Sequence, residues 1–194
     1  MGKLYFKYGP MAAGKSTHLL QAAHNYKTRG MHVKLFTSAL DNRSGTGVIS
    51  SRIGISAEAE IIENNENGVK MIKDLIQRII TLEEKVHVVF VDESQFLSAE
   101  VIDALSDLVD TIGINVLCYG IRTDFETKLF SGSARLFELA DSTEELKHIC
   151  SCGKKAVMNA RIVDSAEKVL IGAEDAYQSM CRKCYKEFMK KKDE

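Results

Sequence analysis

Gly9-Pro10-Met11-Ala12-Ala13-Gly14-Lys15-Ser16-Thr17 carries the pattern G-x-x-x-x-G-K-S, and its two flanks decide the fold. Leu4-Tyr5-Phe6-Lys7-Tyr8 before it has the aromatic, apolar character of a β-strand. Residues 15–29 after it carry apolar side chains at helical spacing. Strand, glycine-bearing turn and helix in that order make a phosphate-binding loop. Glycine is needed where a side chain would hold the backbone away from phosphate. Backbone N–H groups and the helix N-terminus favour negative charge at that place. Lys15 brings a point charge to the outer phosphates, and Ser16 a hydroxyl for magnesium. The motif therefore implies a site for a magnesium–nucleoside triphosphate.

Beyond the loop, short apolar runs alternate with helical stretches up to about residue 139. Strands are expected at 4–8, 33–37, 86–91 and 114–119, and helices at 15–29, 68–82 and 98–111. Val86-His87-Val88-Val89-Phe90-Val91 is apolar on both faces, as a strand buried in a parallel sheet must be. This alternation implies an α/β fold, a RecA-like parallel sheet flanked by helices, with ligands at the carboxyl ends of the strands. Residues 41–55 are rich in Gly, Ser and Arg and predict a mobile loop.

Asp92-Glu93 closes the most hydrophobic strand. A carboxylate there holds the magnesium of a bound nucleotide, often through water, and Asp92 takes that role. Glu93 is left to act as a base. It would activate water in an ATPase, or accept the proton of a substrate hydroxyl in a kinase. The plainer alternative is a helix cap.

The chain has 194 residues, enough for one sizeable core with a small appendage, and a net charge of −1. That balance speaks against a large basic surface for nucleic acid. No apolar run approaches the roughly 20 residues that cross a bilayer, and no signal-peptide core opens the chain, so a soluble cytoplasmic protein is expected. Five cysteines in that compartment are not disulfides. Cys118, within an apolar run, is expected as a core thiol. Cys150-Ser151-Cys152 and Cys181-Arg182-Lys183-Cys184 form two pairs about 30 residues apart. Four thiolates suit a closed tetrahedral zinc site, a structural one that staples a segment too short to bury its own core. The C-x-C bite is tighter than C-x-x-C, so His148 stands as an alternative ligand; free thiols or a redox pair are the competing readings. The expected division is 1–143 for the nucleotide-binding domain and 144–194 for a zinc-binding domain. The stretch between the cysteine pairs would form a stapled loop, either a lid or an ordinary hairpin.

Taken in order, these motifs resemble the zinc-containing, cytosolic (type II) thymidine kinases. The resemblance covers nearly the whole chain: Gly9 to Thr17, Asp41-Asn42-Arg43, Asp92-Glu93-Ser94-Gln95-Phe96, Tyr119 to Phe125, the cysteine pairs, and Gly172 to Tyr177. It implies transfer of the γ-phosphate of ATP to the 5′-hydroxyl of thymidine or deoxyuridine, in pyrimidine deoxynucleotide salvage. It implies Glu93 as proton acceptor, and Asp41 and Arg43 near the phosphate and the 5′-hydroxyl. Met11, Gln95, Phe96, Ile121, Phe125 and Phe130 would surround the nucleoside. Val169-Leu170-Ile171-Gly172, with Tyr177, would form a lasso closing over it. It also implies a homotetramer and inhibition by thymidine triphosphate; the balanced charge and the lack of a long apolar run add the expectation of no nucleic-acid and no membrane partner. The chain departs from the family at C-x-C, where C-x-x-C is usual, and at Ser94, where some relatives carry Gly.

The main rival is a RecA-like ATPase carrying a zinc module. Such an enzyme needs a basic track for its strand, which a net charge of −1 does not supply.

Overall fold

The central sheet is built from β1 (Leu4–Tyr8), β2 (Val33–Ser38), β5 (Glu60–Ile62), β6 (Val88–Asp92), β7 (Asn115–Gly120) and β8 (Ser142–Glu145). All six run parallel, in the order β5-β2-β6-β7-β1-β8. The computed structural model describes residues 2–40, 47–163 and 176–193. The strand that carries the phosphate loop, β1, is separated from the acidic strand β6 by β7. The parallel sheet flanked by helices is the RecA-like architecture that the sequence predicts; the order of its strands is a finding of the structure.

Side chains alternate across the sheet and feed two cores. Phe6, Phe36, Val89, Val91, Val116 and Cys118 face one side. There they meet α2 (Glu66–Ile80), α3 (Ala99–Asp107) and α4 (Ser131–Leu139). Leu35, Val88, Phe90, Leu117 and Tyr119 face the other, against Leu19, Leu20 and Ala23 of α1 (Lys15–Lys27). Val88 to Val91 are all fully buried, because a central parallel strand has helices on both faces. Cys118 is the expected core thiol, pushed up to about 12 by burial.

Element ends follow local chemistry. Helix α2 starts at Glu66, two residues before the expected start, because Asn65 caps it by accepting the Asn67 N–H at 2.8 Å. The expected helix 98–111 is α3 followed by a π-helical turn, Leu108–Ile112, ending on Gly113 in the left-handed region.

The described residues of the expected mobile loop include β3 (Val48–Ser50), which forms a hairpin with β4 (Ser56–Glu58) just beyond it. Ile49, 1 % exposed, drives this by packing beside α1. Strand β8 crosses the expected boundary at 143/144. Its sequence Ser-Thr-Glu-Glu carries no apolar signal, and it is held by β1 and by the Lys7–Glu144 ion pair.

The C-terminal unit pairs β9 (His148–Ile149) with β10 (Lys155–Ala156) and β11 (Met158–Arg161) with β12 (Tyr177–Met180), and ends in α5 (Arg182–Asp193). Among the described residues its buried core is Cys150, Ala156, Ala160, Met180 and Cys181. Among the described residues no helix is long and apolar enough to cross a membrane.

Candidate active site and metal centre

The phosphate loop leaves β1 at Gly9, whose N–H donates to the Gly120 carbonyl at 3.2 Å. Ala12 and Gly14 both have positive φ, 62° and 74°. Alternation of hand along a loop turns successive N–H groups inward and forms an anion-binding concavity. Lys15, 7 % exposed, donates to the Pro10 carbonyl at 3.1 Å. Ser16 donates its hydroxyl to Asp92 Oδ2 at 2.7 Å. Thus the two expected magnesium ligands, 76 residues apart, meet. Burial and the adjacent Glu93 carboxylate push Asp92 up to about 7, opposed by Ser16 and Lys15. Beside Asp92 in register lies Thr37, whose fully buried hydroxyl has no hydrogen-bond partner among the described residues. Carboxylate, hydroxyl and an unspent buried hydroxyl are all hard oxygen donors and fit magnesium with its water shell.

Glu93 sits in the left-handed region, φ 51°, and is 4 % exposed. Strain at a non-glycine residue costs of order 1–3 kcal/mol and gathers at functional sites. The side chain makes no capping bond, which disposes of the cap reading. Its Oε2 instead accepts from the Gln95 amide. The other end of that amide accepts the Ile121 N–H at 3.1 Å. Gln95 is 1 % exposed, so both ends of its amide are engaged in orienting Glu93 against the end of β7.

Gly120 permits this. A Cβ there would stand 2.8 Å from Gln95 Oε1 and 2.9 Å from Ser94 Oγ. Gly120→Ala is expected to destabilise the protein by about 1–3 kcal/mol through overpacking. Urea unfolding that leaves the midpoint unchanged would disprove this.

A cavity of about 170 Å³ is lined by the phosphate loop, Glu93, Ile121 and the tip of the β3–β4 hairpin, Ser50 to Ile53. Arg52 and Lys15 thereby line the same cavity. The sequence pattern assigns Arg52 no role, because nothing local connects residue 52 to residue 15. Phe96 and Phe130 stack edge to face, with centroids 5.6 Å apart. Phe125 lies under the Arg161 guanidinium, 3.8 Å from its ring centroid, and Arg161 Nη2 donates to the Tyr177 hydroxyl at 3.0 Å. Asp41, Arg43 and residues 169–172, the expected phosphate pair and lasso, lie outside the described residues.

The four cysteine sulfurs of Cys150, Cys152, Cys181 and Cys184 lie within 4.8 Å of one another. His148 is not part of this group; it pairs through β9 with Ala156. The tight C-x-C bite closes because Cys150 N–H bonds the Lys154 carbonyl and Gly153 takes φ 82°. Cys181 stands just before α5, where its sulfur accepts the Cys184 N–H. Backbone N–H groups of Cys152 and Cys181 lower the Cys150 thiol to about 6, toward the thiolate that zinc binds. Four sulfurs with no open position fit a structural zinc ion.

Sheet order, phosphate loop and acidic strand end define a P-loop nucleotide-binding α/β protein of the RecA-like class. A family described as "TK: Thymidine kinase" matches residues 2–185. A thymidine kinase of Haemophilus influenzae is 47 % identical over 96 % of this chain and 97 % of its own length. One from Ruegeria pomeroyi is 48 % identical over 96 % and 95 %. A solved structure of an ATPase domain aligns with 75 % of this chain and 69 % of its own at 13 % identity, TM-score 0.48. The chain belongs to the thymidine kinase family, of the zinc-containing kind.

Proposed function

We propose that the protein transfers the γ-phosphate of ATP to the 5′-hydroxyl of thymidine, and of deoxyuridine, in nucleotide salvage. The observation that carries this is the buried Glu93 carboxylate, held by Gln95 at the cavity that Lys15 also lines. Phosphoryl transfer needs positioning and charge neutralisation more than covalent chemistry. Lys15 and the loop N–H groups hold the outer phosphates. Ser16 and Asp92 would hold magnesium, which would supply neutralising charge to the phosphates when bound. Glu93 orients the attacking hydroxyl and takes its proton as the P–O bond forms. The β3–β4 hairpin brings Arg52 to the same cavity as a second cation.

Met11, Ile121, Phe96, Phe125 and Phe130 supply the apolar walls that a pyrimidine nucleoside needs. Residues 169–172 are read as the lid that excludes water, which would otherwise attack ATP. The tetramer, the inhibition by thymidine triphosphate, the cytoplasmic setting and the absence of a nucleic-acid partner rest on the resemblance and on the balanced charge.

ATP consumption with magnesium tests the reading, adding thymidine, deoxyuridine, deoxycytidine and deoxyadenosine in turn. Turnover is expected with thymidine and deoxyuridine only. A folded, zinc-replete sample that answers no nucleoside, and hydrolyses ATP only when single-stranded DNA is added, would be an ATPase instead. Arg52→Ala is expected to raise the KM for ATP about tenfold, as loss of a charge-assisted hydrogen bond does. An unchanged KM removes Arg52 from the phosphate site.

A further inference from the structure

Two separate grips reach from the C-terminal unit to the loops that flank the nucleoside site. The first holds one residue of the phosphate loop at both ends of its main chain. The Met11 N–H donates to Asn159 Oδ1 at 2.8 Å, and the Met11 carbonyl accepts from the Ser179 hydroxyl at 2.6 Å. Asn159 and Ser179 face each other across β11 and β12, and Asn159 is 6 % exposed. The second grip holds Phe125. Its carbonyl accepts from the Tyr185 hydroxyl on α5, and its ring lies under the guanidinium of Arg161, which is 5 % exposed.

Met11 and Phe125 both lie in turns outside every strand and helix. Neither is placed by the ladder of the central sheet. Each is fixed instead from a unit distant in sequence, held in shape by its own hairpin and its cysteine cluster. We infer that Asn159 and Ser179 on one side, and Arg161 and Tyr185 on the other, are positioning residues that set the two loop walls of the nucleoside pocket. The inference rests on the kinase reading above. Its physical content is preorganisation: the loops are ordered on folding, so nucleoside binding does not have to order them.

The Phe125 grip touches no phosphate-loop residue, so there the effect must fall on the nucleoside and not on ATP. Ser179→Ala and Tyr185→Phe each delete one hydroxyl and leave the cysteines untouched. The KM values for thymidine and ATP, kcat, and zinc per chain are measured for both. Each variant is expected to raise the thymidine KM about fivefold, the worth of one hydrogen bond. For Tyr185→Phe the ATP KM and kcat should stay within about twofold; zinc content should stay full in both variants, and Ser179→Thr should restore the thymidine KM. A thymidine KM unchanged in both variants overturns the inference, and so does an ATP KM that rises equally in Tyr185→Phe. If Ser179→Ala loses zinc, Tyr185→Phe decides alone, since it touches only the Phe125 side. A wild-type protein with no thymidine-dependent turnover sinks the kinase reading and this inference with it. An active wild type with insensitive variants sinks this inference only.

Discussion

Glu93→Gln is expected to cut thymidine-dependent turnover by about 100-fold or more, while thymidine still binds. The exchange keeps size, and it keeps an oxygen that can accept the Gln95 amide as Oε2 now does. What it removes is the group that can take a proton. The left-handed backbone at residue 93 suits Gln no worse than Glu, so the fold should be unaffected. Steady-state kcat beside equilibrium binding of thymidine separates the two effects. Near-normal turnover would remove Glu93 from the role of base. Loss of thymidine binding in step with turnover would make it a binding residue only.

Cys181→Ser combined with Cys184→Ser is expected to abolish zinc binding and to unfold the C-terminal unit. Among the described residues, the apolar core of that unit has five buried members, two of them Cys150 and Cys181 themselves. So few side chains cannot offset the conformational entropy of ordering the segment. Structural zinc supplies on the order of 10–16 kcal/mol in small domains that fold around it. With two thiolates gone, the remaining pair cannot complete a tetrahedron. Metal analysis should find little zinc, and limited proteolysis should cut beyond residue 144 first. The two cores of the central sheet contain none of the four cysteines, so the first half should resist longer. Full zinc content in the double variant would disprove the site. The same unit grips Met11 and Phe125, so its melting should also take thymidine-dependent turnover with it.

Local pattern makes much of this legible. The phosphate loop, the buried strand ending in Asp92-Glu93 and the cysteine spacing are signals contained in a few neighbouring residues. Strands β1, β2, β6 and β7 lie within a few residues of where apolar runs place them, because a central parallel strand must be apolar on both faces. Edge elements are not legible. β8 is polar throughout and exists because β1 offers an unpaired edge. The β3–β4 hairpin sits in a stretch whose Gly and Ser mask the buried apolar side chain, Ile49, that anchors it.

By itself the sequence determined the phosphate loop, the acidic pair, the two cysteine pairs whose spacing suits a metal, and the class of fold. Each is short-range chemistry with a fixed spacing. Tertiary structure alone decided how distant groups meet: Ser16 with Asp92, Gln95 with Ile121, Arg52 with the phosphate loop, and Met11 with Asn159 and Ser179. It also decided that four cysteines converge and His148 does not. Contacts across 148 or 168 residues depend on how strands and loops are ordered in space, and no local spacing encodes that order.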